Sequence, residues 1–355
     1  MYKAPEQSLG LRQYGYVPFA VLDVSSTGRQ TREGSRTLEY AFEDFGIRQV
    51  AQLLGRTDDV ERYTNRSLFY RNIWDPSVAS DGFKGLNTVI MKTPALTVAT
   101  GFPQKRYPNG TFAYTNPIDC SPKDPNISRA CSLQGFNTNG FYESSSWEFA
   151  PHDTAHLIEL MGGNHTFVKR LDHFFNAGYY LAGNEPSFQT PIGYHYANHP
   201  AKSVDRVREV VFTNFDITAA GLPGNDDQAA MASLLSFHLL GLYPVPSTTQ
   251  YLILSPFIPK YTIHNSFLGV STTVTTLNYD PKSVQKIIPP GTAAYVQNVT
   301  INGVPSASRC HFDFYDVFRV GGDVVITLTA DKAAADDCLG NLPESISTGG
   351  FNLPR

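Results

Sequence analysis

The sequence predicts a mainly α-helical chain closed by a β-rich C-terminal part. Apolar residues recur at helical spacing through the first two-thirds; from Tyr251 onward they alternate in short runs broken by Pro and Gly. This change of period divides the 355 residues into helical hairpins over 1–250, a small antiparallel β region over 251–335 and a tail rich in Ser, Gly, Asn and Pro over 336–355.

The elements follow in order. Leu38, Ala41, Phe42, Phe45, Val50, Leu53 and Leu54 trace a first apolar stripe, and Gly55 stands where a helix ends in a left-handed residue. Asp58 or Asp59 can cap a second helix running toward Tyr70, since a short acidic side chain accepts the free amides of a first turn. Residues 73–150 are rich in Gly, Pro, Asn and Ser and read as a long loop, which in a compact domain usually serves function. Asp153 opens a short helix through Leu157, Leu160 and Met161, stopped by Gly162-Gly163. Asn164 begins another, with Phe167, Leu171, Phe174 and Phe175 on its apolar side. A second polar stretch over 177–200 precedes helices from Ser203 to Phe212 and from Asp226 to Leu240. Strands are expected at Tyr251–Leu254, Thr272–Thr276, Ala293–Ile301 and Val324–Leu328.

Composition excludes some classes. Net charge is -4 and 17% of residues are charged, so no basic surface is present to neutralise phosphates and nucleic acid is not an expected partner. No apolar run reaches the roughly 18 residues of a membrane span; Met231–Val245 comes nearest and is broken by His238 and Pro244. The start, Met1 to Pro5, lacks the basic-then-apolar order of a signal peptide. Yet Cys120 lies near Cys131 and Cys310 near Cys338, and glycosylation sequons stand at Asn65, Asn109, Asn126, Asn164 and Asn298. Together they point to an oxidising compartment, although four cysteines allow three pairings. A secreted chain without a leader is expected to lack its N-terminal part, signal peptide included.

Three segments carry chemistry. Gly224-Asn-Asp-Asp227 precedes a helix; one cap explains one polar residue, and three in a row exceed that need, leaving a carboxylate that can serve as a general base. Glu143 lies in a serine-rich loop beside Phe141, Trp147 and Phe149. Apolar neighbours of this kind can keep a carboxyl protonated as a general acid; the alternative is a solvated loop glutamate. Gly183-Asn-Glu-Pro186 and the residues to Pro191 hold Glu185 and Gln189 between two prolines. They could offer oxygens to a hard cation such as calcium, or form an ordinary Asx or Pro turn. Two separated carboxylates are what glycosidic cleavage requires. His195 and His199 lack the intervening glutamate of a zinc-protease helix, and Pro200 disfavours helix at His199.

Taken in order, several stretches make the sequence resemble glycoside hydrolase family 92, the calcium-dependent exo-acting α-mannosidases, especially the fungal members. They are Arg36–Phe45, Arg66–Tyr70 with Asp75-Pro76, Glu143–Trp147, Pro151-His-Asp153, Leu160–Gly163, Gly183–Pro186, Tyr194-His-Tyr196, Gly221–Asp227 and Gly241–Val245. The resemblance implies an α/α toroid, incomplete here because family members are about twice as long, and an inverting mechanism. It assigns Glu143 as general acid, Asp227 as general base with Asp226 assisting, and Trp147, Asn184, Glu185 and Tyr196 to the sugar. Glu185 and Gln189 fall in the calcium loop. Departures are Ser144 and Ala229 where glycine is usual, a segment shorter by two or three residues between Trp147 and Pro151, and Asn184 where α-1,2 cleavers often carry His. The expectation is a secreted, calcium-dependent, inverting α-mannosidase acting on terminal, including α-1,2, mannosides of N-glycans or fungal mannan. The rival is a truncated, catalytically impaired mannoside-binding homologue.

Overall fold

The computed structural model describes residues 5–19, 33–79, 100–114, 117 and 150–352. These form two compact units, one from the described residues up to Ser187 with Asn352, the other from Phe188–Phe351.

The first unit opens with helix α1 (Pro5–Tyr14), α2 (Glu33–Leu53) and α3 (Thr57–Ser67). The N-terminal half of the predicted α2 stripe is core: Leu38, Ala41 and Phe45 are buried, with Tyr16, Tyr70, Ile73 and Ala150 around Leu38 and Ala41. Its C-terminal half is not, because Val50, Leu53 and Leu54 are more than half exposed. Gly55 ends the helix as expected, with φ +64 and the paired bonds Arg56 N to Ala51 O and Gly55 N to Gln52 O. The expected cap at Asp58 or Asp59 is corrected: α3 already begins at Thr57, with Arg56 at the cap position, and Asp59 instead pairs with Arg56 and Arg62, both at 3.2 Å. These acids then act as first-turn charges facing the helix dipole.

The stretch read as loop after Ile73 holds two small ribbons, β1 (Trp74–Ala79) with β2 (Thr100–Pro103) and β3 (Lys105–Arg106) with β4 (Phe112–Ala113), both antiparallel. Helix α4 (Thr154–Leu160) follows Asp153 and stops at Gly162-Gly163, both at positive φ. Helix α5 (Asn164–Asn176) buries Phe167, Leu171 and Phe174.

In the second unit, a 3-10 turn (Thr190–His195) leads to α6 (Pro200–Asn214) and then α7 (Ala230–Leu240). Gly241 ends α7 with φ +73, and a Cβ there would stand 2.6 Å from Pro256 N, so the close approach requires glycine.

The strands are β5 (Leu242–Pro244), β6 (Gln250–Ile253), β7 (Lys260–Asn265), β8 (Val270–Leu277), β9 (Tyr295–Ile301), β10 (Val304–Pro305), β11 (His311–Asp313) and, after a one-turn helix α8 (Phe314–Val317), β12 (Gly322–Thr329). They make an antiparallel sheet β11-β6-β5 and a five-stranded sheet β10-β9-β12-β8-β7. The expectation of a wholly antiparallel region is corrected, since β12 runs parallel to β8, with Gly322 opposite Thr272 and Thr327 opposite Leu277. Alternation buries Val324, Ile326 and Leu328 of β12 against Leu242, Ile253, Val274, Phe312 and Phe318.

Residues 336–352, read from composition as tail, are fastened. Cys338 is disulfide-bonded to Cys310, Glu344 N donates to Gln250 Oε1, and Ser308 Oγ donates to Asn341 O. Cys120 and Cys131 lie outside the described residues, as does Asn126; the sequon asparagines Asn65, Asn109, Asn164 and Asn298 are exposed.

Candidate active site

Asp226 and Asp227 occupy the entry to α7, and the backbone separates their tasks. Helix was expected from Asp226 onward. Instead Asp227–Ala229 form a 3-10 turn in which Gln228 (φ 60, ψ 40) and Ala229 (φ 67, ψ 26) are both left-handed. Left-handed backbone presses Cβ toward a carbonyl oxygen and costs a non-glycine residue about 1–2 kcal/mol. Ala229 is the residue that stands where the family resemblance expects glycine, and its conformation supplies the physical reason.

The kink turns the two carboxylates apart in function. Asp226 Oδ1 accepts from Ala232 N at 3.1 Å and its carbonyl accepts from Ala230 N at 2.8 Å, so it caps α7. Asp227 is exposed, and among the described residues nothing bonds to its carboxylate. One acid is spent on the helix; the other is available for chemistry.

Asn184 and Glu185 are half-buried in the first unit. The Asn184 carbonyl accepts from Ser187 N at 3.0 Å and Ser187 Oγ at 2.6 Å, and its N–H donates to Leu181 O at 3.2 Å. These bonds hold Glu185 at the head of a 3-10 turn, Glu185–Ser187. In the second unit Gln189 is buried and precedes the Pro191-containing turn, its carbonyl accepting from Ile192 N at 2.9 Å. Tyr196 closes that turn, also buried. Glu143 and Trp147 lie outside the described residues.

Among the described residues no group of three His, Cys, Asp or Glu side chains is arranged to hold a metal ion. Glu185 and Gln189 do carry oxygen donors of the kind a hard cation takes, about six to eight at a time.

His195 is a core residue. Its Nε2 donates to Ile253 O at 2.7 Å, so Nδ1 accepts from Ser203 Oγ at 2.8 Å, and burial lowers its pKa to about 4. His199 faces elsewhere, with Nδ1 2.8 Å from Asp336 Oδ2, so the two histidines share no ligand.

One buried polar cluster in the first unit leaves no mark in the residue spacing. Asp153 Oδ2 accepts from Tyr70 Oη at 2.8 Å and from Arg71 Nη2, 82 positions away. Burial, then Asp153, pushes the Tyr70 phenol well above its ordinary value, so it stays a donor. Beside them His152 donates from Nε2 to Ser67 O at 2.9 Å and stacks on Phe45 at 5.1 Å; burial lowers its pKa to about 4. Asp153 opens α4 as expected, yet its side chain makes no cap bond and serves this cluster instead.

Residues 4–330 match the Glycosyl hydrolase family 92 catalytic domain. An "Uncharacterized secreted glycosidase" of Arthroderma benhamiae is 34% identical over 341 residues, 95% of this chain and 41% of that protein. A family GH92 alpha-mannosidase from Bacteroides thetaiotaomicron superposes with a TM-score of 0.73 at 25% identity, covering 98% of this chain and 40% of its own. A second protein of that bacterium, a "Family GH92 Inverting Mannosidase", shares the fold with a TM-score of 0.71 at 20% identity, over 96% and 42%. The chain thus spans about two fifths of the length of these relatives. No described helix is long and apolar enough to cross a membrane.

Proposed function

The chain belongs to glycosyl hydrolase family 92, and from that premise we propose that it carries catalytic residues of a secreted, exo-acting α-mannosidase that cleaves terminal α-mannosides with inversion. One observation carries the reading: the α7 entry leaves Asp227 exposed and unbonded while its neighbour Asp226 caps the helix. A cap alone would need one acid.

In this reading Glu143 gives its proton to the leaving oxygen, and Asp227 takes a proton from the water that attacks the anomeric carbon from the opposite face. The glycosidic C–O bond breaks as the water oxygen bonds to carbon, releasing mannose of inverted configuration. Acid and base of an inverting pair stand about 6.5–9.5 Å apart, with room for that water. Asp226 keeps the base in place by holding the start of α7. Asn184, Glu185, Trp147 and Tyr196 contact the sugar, and the helices form part of an α/α toroid. Calcium held by Glu185 and Gln189 would supply a hard positive charge toward the sugar hydroxyls. Inversion draws on the name of one fold relative, and secretion on that of the fungal relative together with the Cys310–Cys338 disulfide. The substrates are terminal mannosides of N-glycans or fungal mannan.

The test is mannose release from α-1,2-, α-1,3- and α-1,6-mannobiose, with calcium and with a chelator. Asp227→Asn and Glu143→Gln should each lower release by about 10²–10⁴-fold, with Asp226→Asn losing less. Release that is unaffected by Asp227→Asn would defeat the assignment. Binding of mannosides without any release, by folded chain, would favour the mannoside-binding homologue.

A further inference from the structure

A cavity of about 450 Å³ opens within the second unit, in the range of small-molecule pockets, which run about 300–1,000 Å³. None of the described candidate catalytic or sugar-binding residues lines it. Its chemistry is two-sided. The hairpin of β9 and β10 supplies an apolar wall through Ile301, Val304 and Pro305. The other side is polar, with Asp313, Asp316 and Glu344, and among the described residues no lysine or arginine lines the space.

Gln250 adds the decisive group. It is 4% exposed and lines the cavity; its Oε1 accepts from Glu344 N at 2.7 Å, while its Nε2 has no hydrogen-bond partner among the described residues. A buried donor left unpaired is costly, so it calls for an acceptor. The three carboxylates call for donors. Asp313 meets Thr249 Oγ1 and Tyr315 N, Glu344 Oε2 accepts from Phe351 N, and the exposed Asp316 carboxylate has no bond among the described residues.

An anion would face three negative charges, and a cation would leave the Gln250 amide unanswered. No three His, Cys, Asp or Glu side chains among the described residues are arranged to hold a metal. Hydroxyl groups both donate and accept, and the C–H face of a pyranose packs on apolar side chains. We propose that this cavity is a second carbohydrate site, binding a neutral pyranoside with its hydroxyls toward Gln250 and Asp316 and its C–H face against Ile301 and Val304. The choice of mannosides as probes rests on the proposed function; the site itself rests on the cavity.

Methyl-resolved NMR of the full chain, titrated with methyl α-mannopyranoside and with α-1,2-mannobiose, tests this. Saturable shifts are expected at the Ile301 and Val304 methyls. Asp316→Ala should weaken them several-fold, and Val304→Trp, at an exposed position that can take the ring into the cavity mouth, should abolish those at Ile301. Both variants should release mannose at the wild-type rate. Unshifted wall methyls in a chain that hydrolyses mannosides would overturn the second site and leave the proposed function standing. Shifted wall methyls without hydrolysis would do the reverse. Shifts with spermidine but with neither sugar would overturn the carbohydrate assignment in favour of a cation, and shifts that survive Val304→Trp would place the ligand elsewhere.

Discussion

The two units bury polar groups by different means. In the first, the deeply buried carboxylates of Asp44 and Asp153 each meet an arginine, Arg66 at 2.8 Å and Arg71 respectively. In the second, buried cations and histidines meet mostly neutral partners. Arg208 donates to Ser283 O and Ser255 Oγ and lies 4.7 Å from the Phe257 ring, and burial lowers its pKa to about 10. Arg309 donates to the carbonyls of Gln297, Ala334 and Asp337, and it also meets a carboxylate, Asp337 Oδ1 at 2.8 Å. His195 sits between a carbonyl and a hydroxyl, and His238 is buried with neither ring nitrogen bonded. The first unit is therefore exposed to loss of a charge partner, the second to gain of a proton.

The largest expected effect breaks that comparison on the first side. Arg71→Ala takes the positive charge away from the deeply buried Asp153 carboxylate, and should cost about 3–5 kcal/mol in urea unfolding. A loss under about 1 kcal/mol would mean that the other partners of Asp153, Tyr70 among them, suffice.

The second side is probed by acid. Burial holds His195 near 4 and His238 near 3, below the ordinary 6.5. The unfolded chain thus takes up protons first as pH falls, so the stability associated with neutral histidine is complete above about 6.5 and drains away toward 4. His152 in the first unit behaves alike, with a pKa of about 4. His238→Leu should flatten this acid loss, and at neutral pH it should raise stability by about 1 kcal/mol because two unpaired nitrogens leave the core. Thermal melts from pH 7 to 4 measure both, and an unchanged acid slope would show that His238 is already protonated in the fold.

The smallest change sharpens the picture at the site. Ala229→Gly relieves a left-handed residue but loosens the unfolded chain, for a net gain of about 0.5–1 kcal/mol. Mannose release should persist, and a melt lower than wild type would show that the kink needs its Cβ.

The sequence made some of this legible for clear reasons. Hydrophobic period found α5, β8, β9 and β12, because each buries one face on residues at regular spacing. Gly55 and the Gly162-Gly163 pair marked helix ends because left-handed backbone selects glycine. Strand β7 was missed: it lies at the edge of its sheet, and its Lys, Thr and His positions present no buried alternation. The parallel union of β12 with β8 left no local trace, because it depends on contacts across about 50 residues of chain. At the site, the polar run before α7 pointed to both a cap and a free acid, but its order did not say which aspartate was which. That division comes from two left-handed residues with ordinary names, Gln228 and Ala229.

The position of β12 bears on how the chain is made. It is the last described strand in sequence and enters the five-stranded sheet between β9 and β8, which end at Ile301 and Leu277, well before it begins. Until Gly322–Thr329 has left the ribosome, each of those strands presents an open edge of unpaired amides and carbonyls to any neighbouring chain. A stop codon just before Gly322 would therefore do more than delete a strand: it would leave two adhesive borders for nascent chains to pair along.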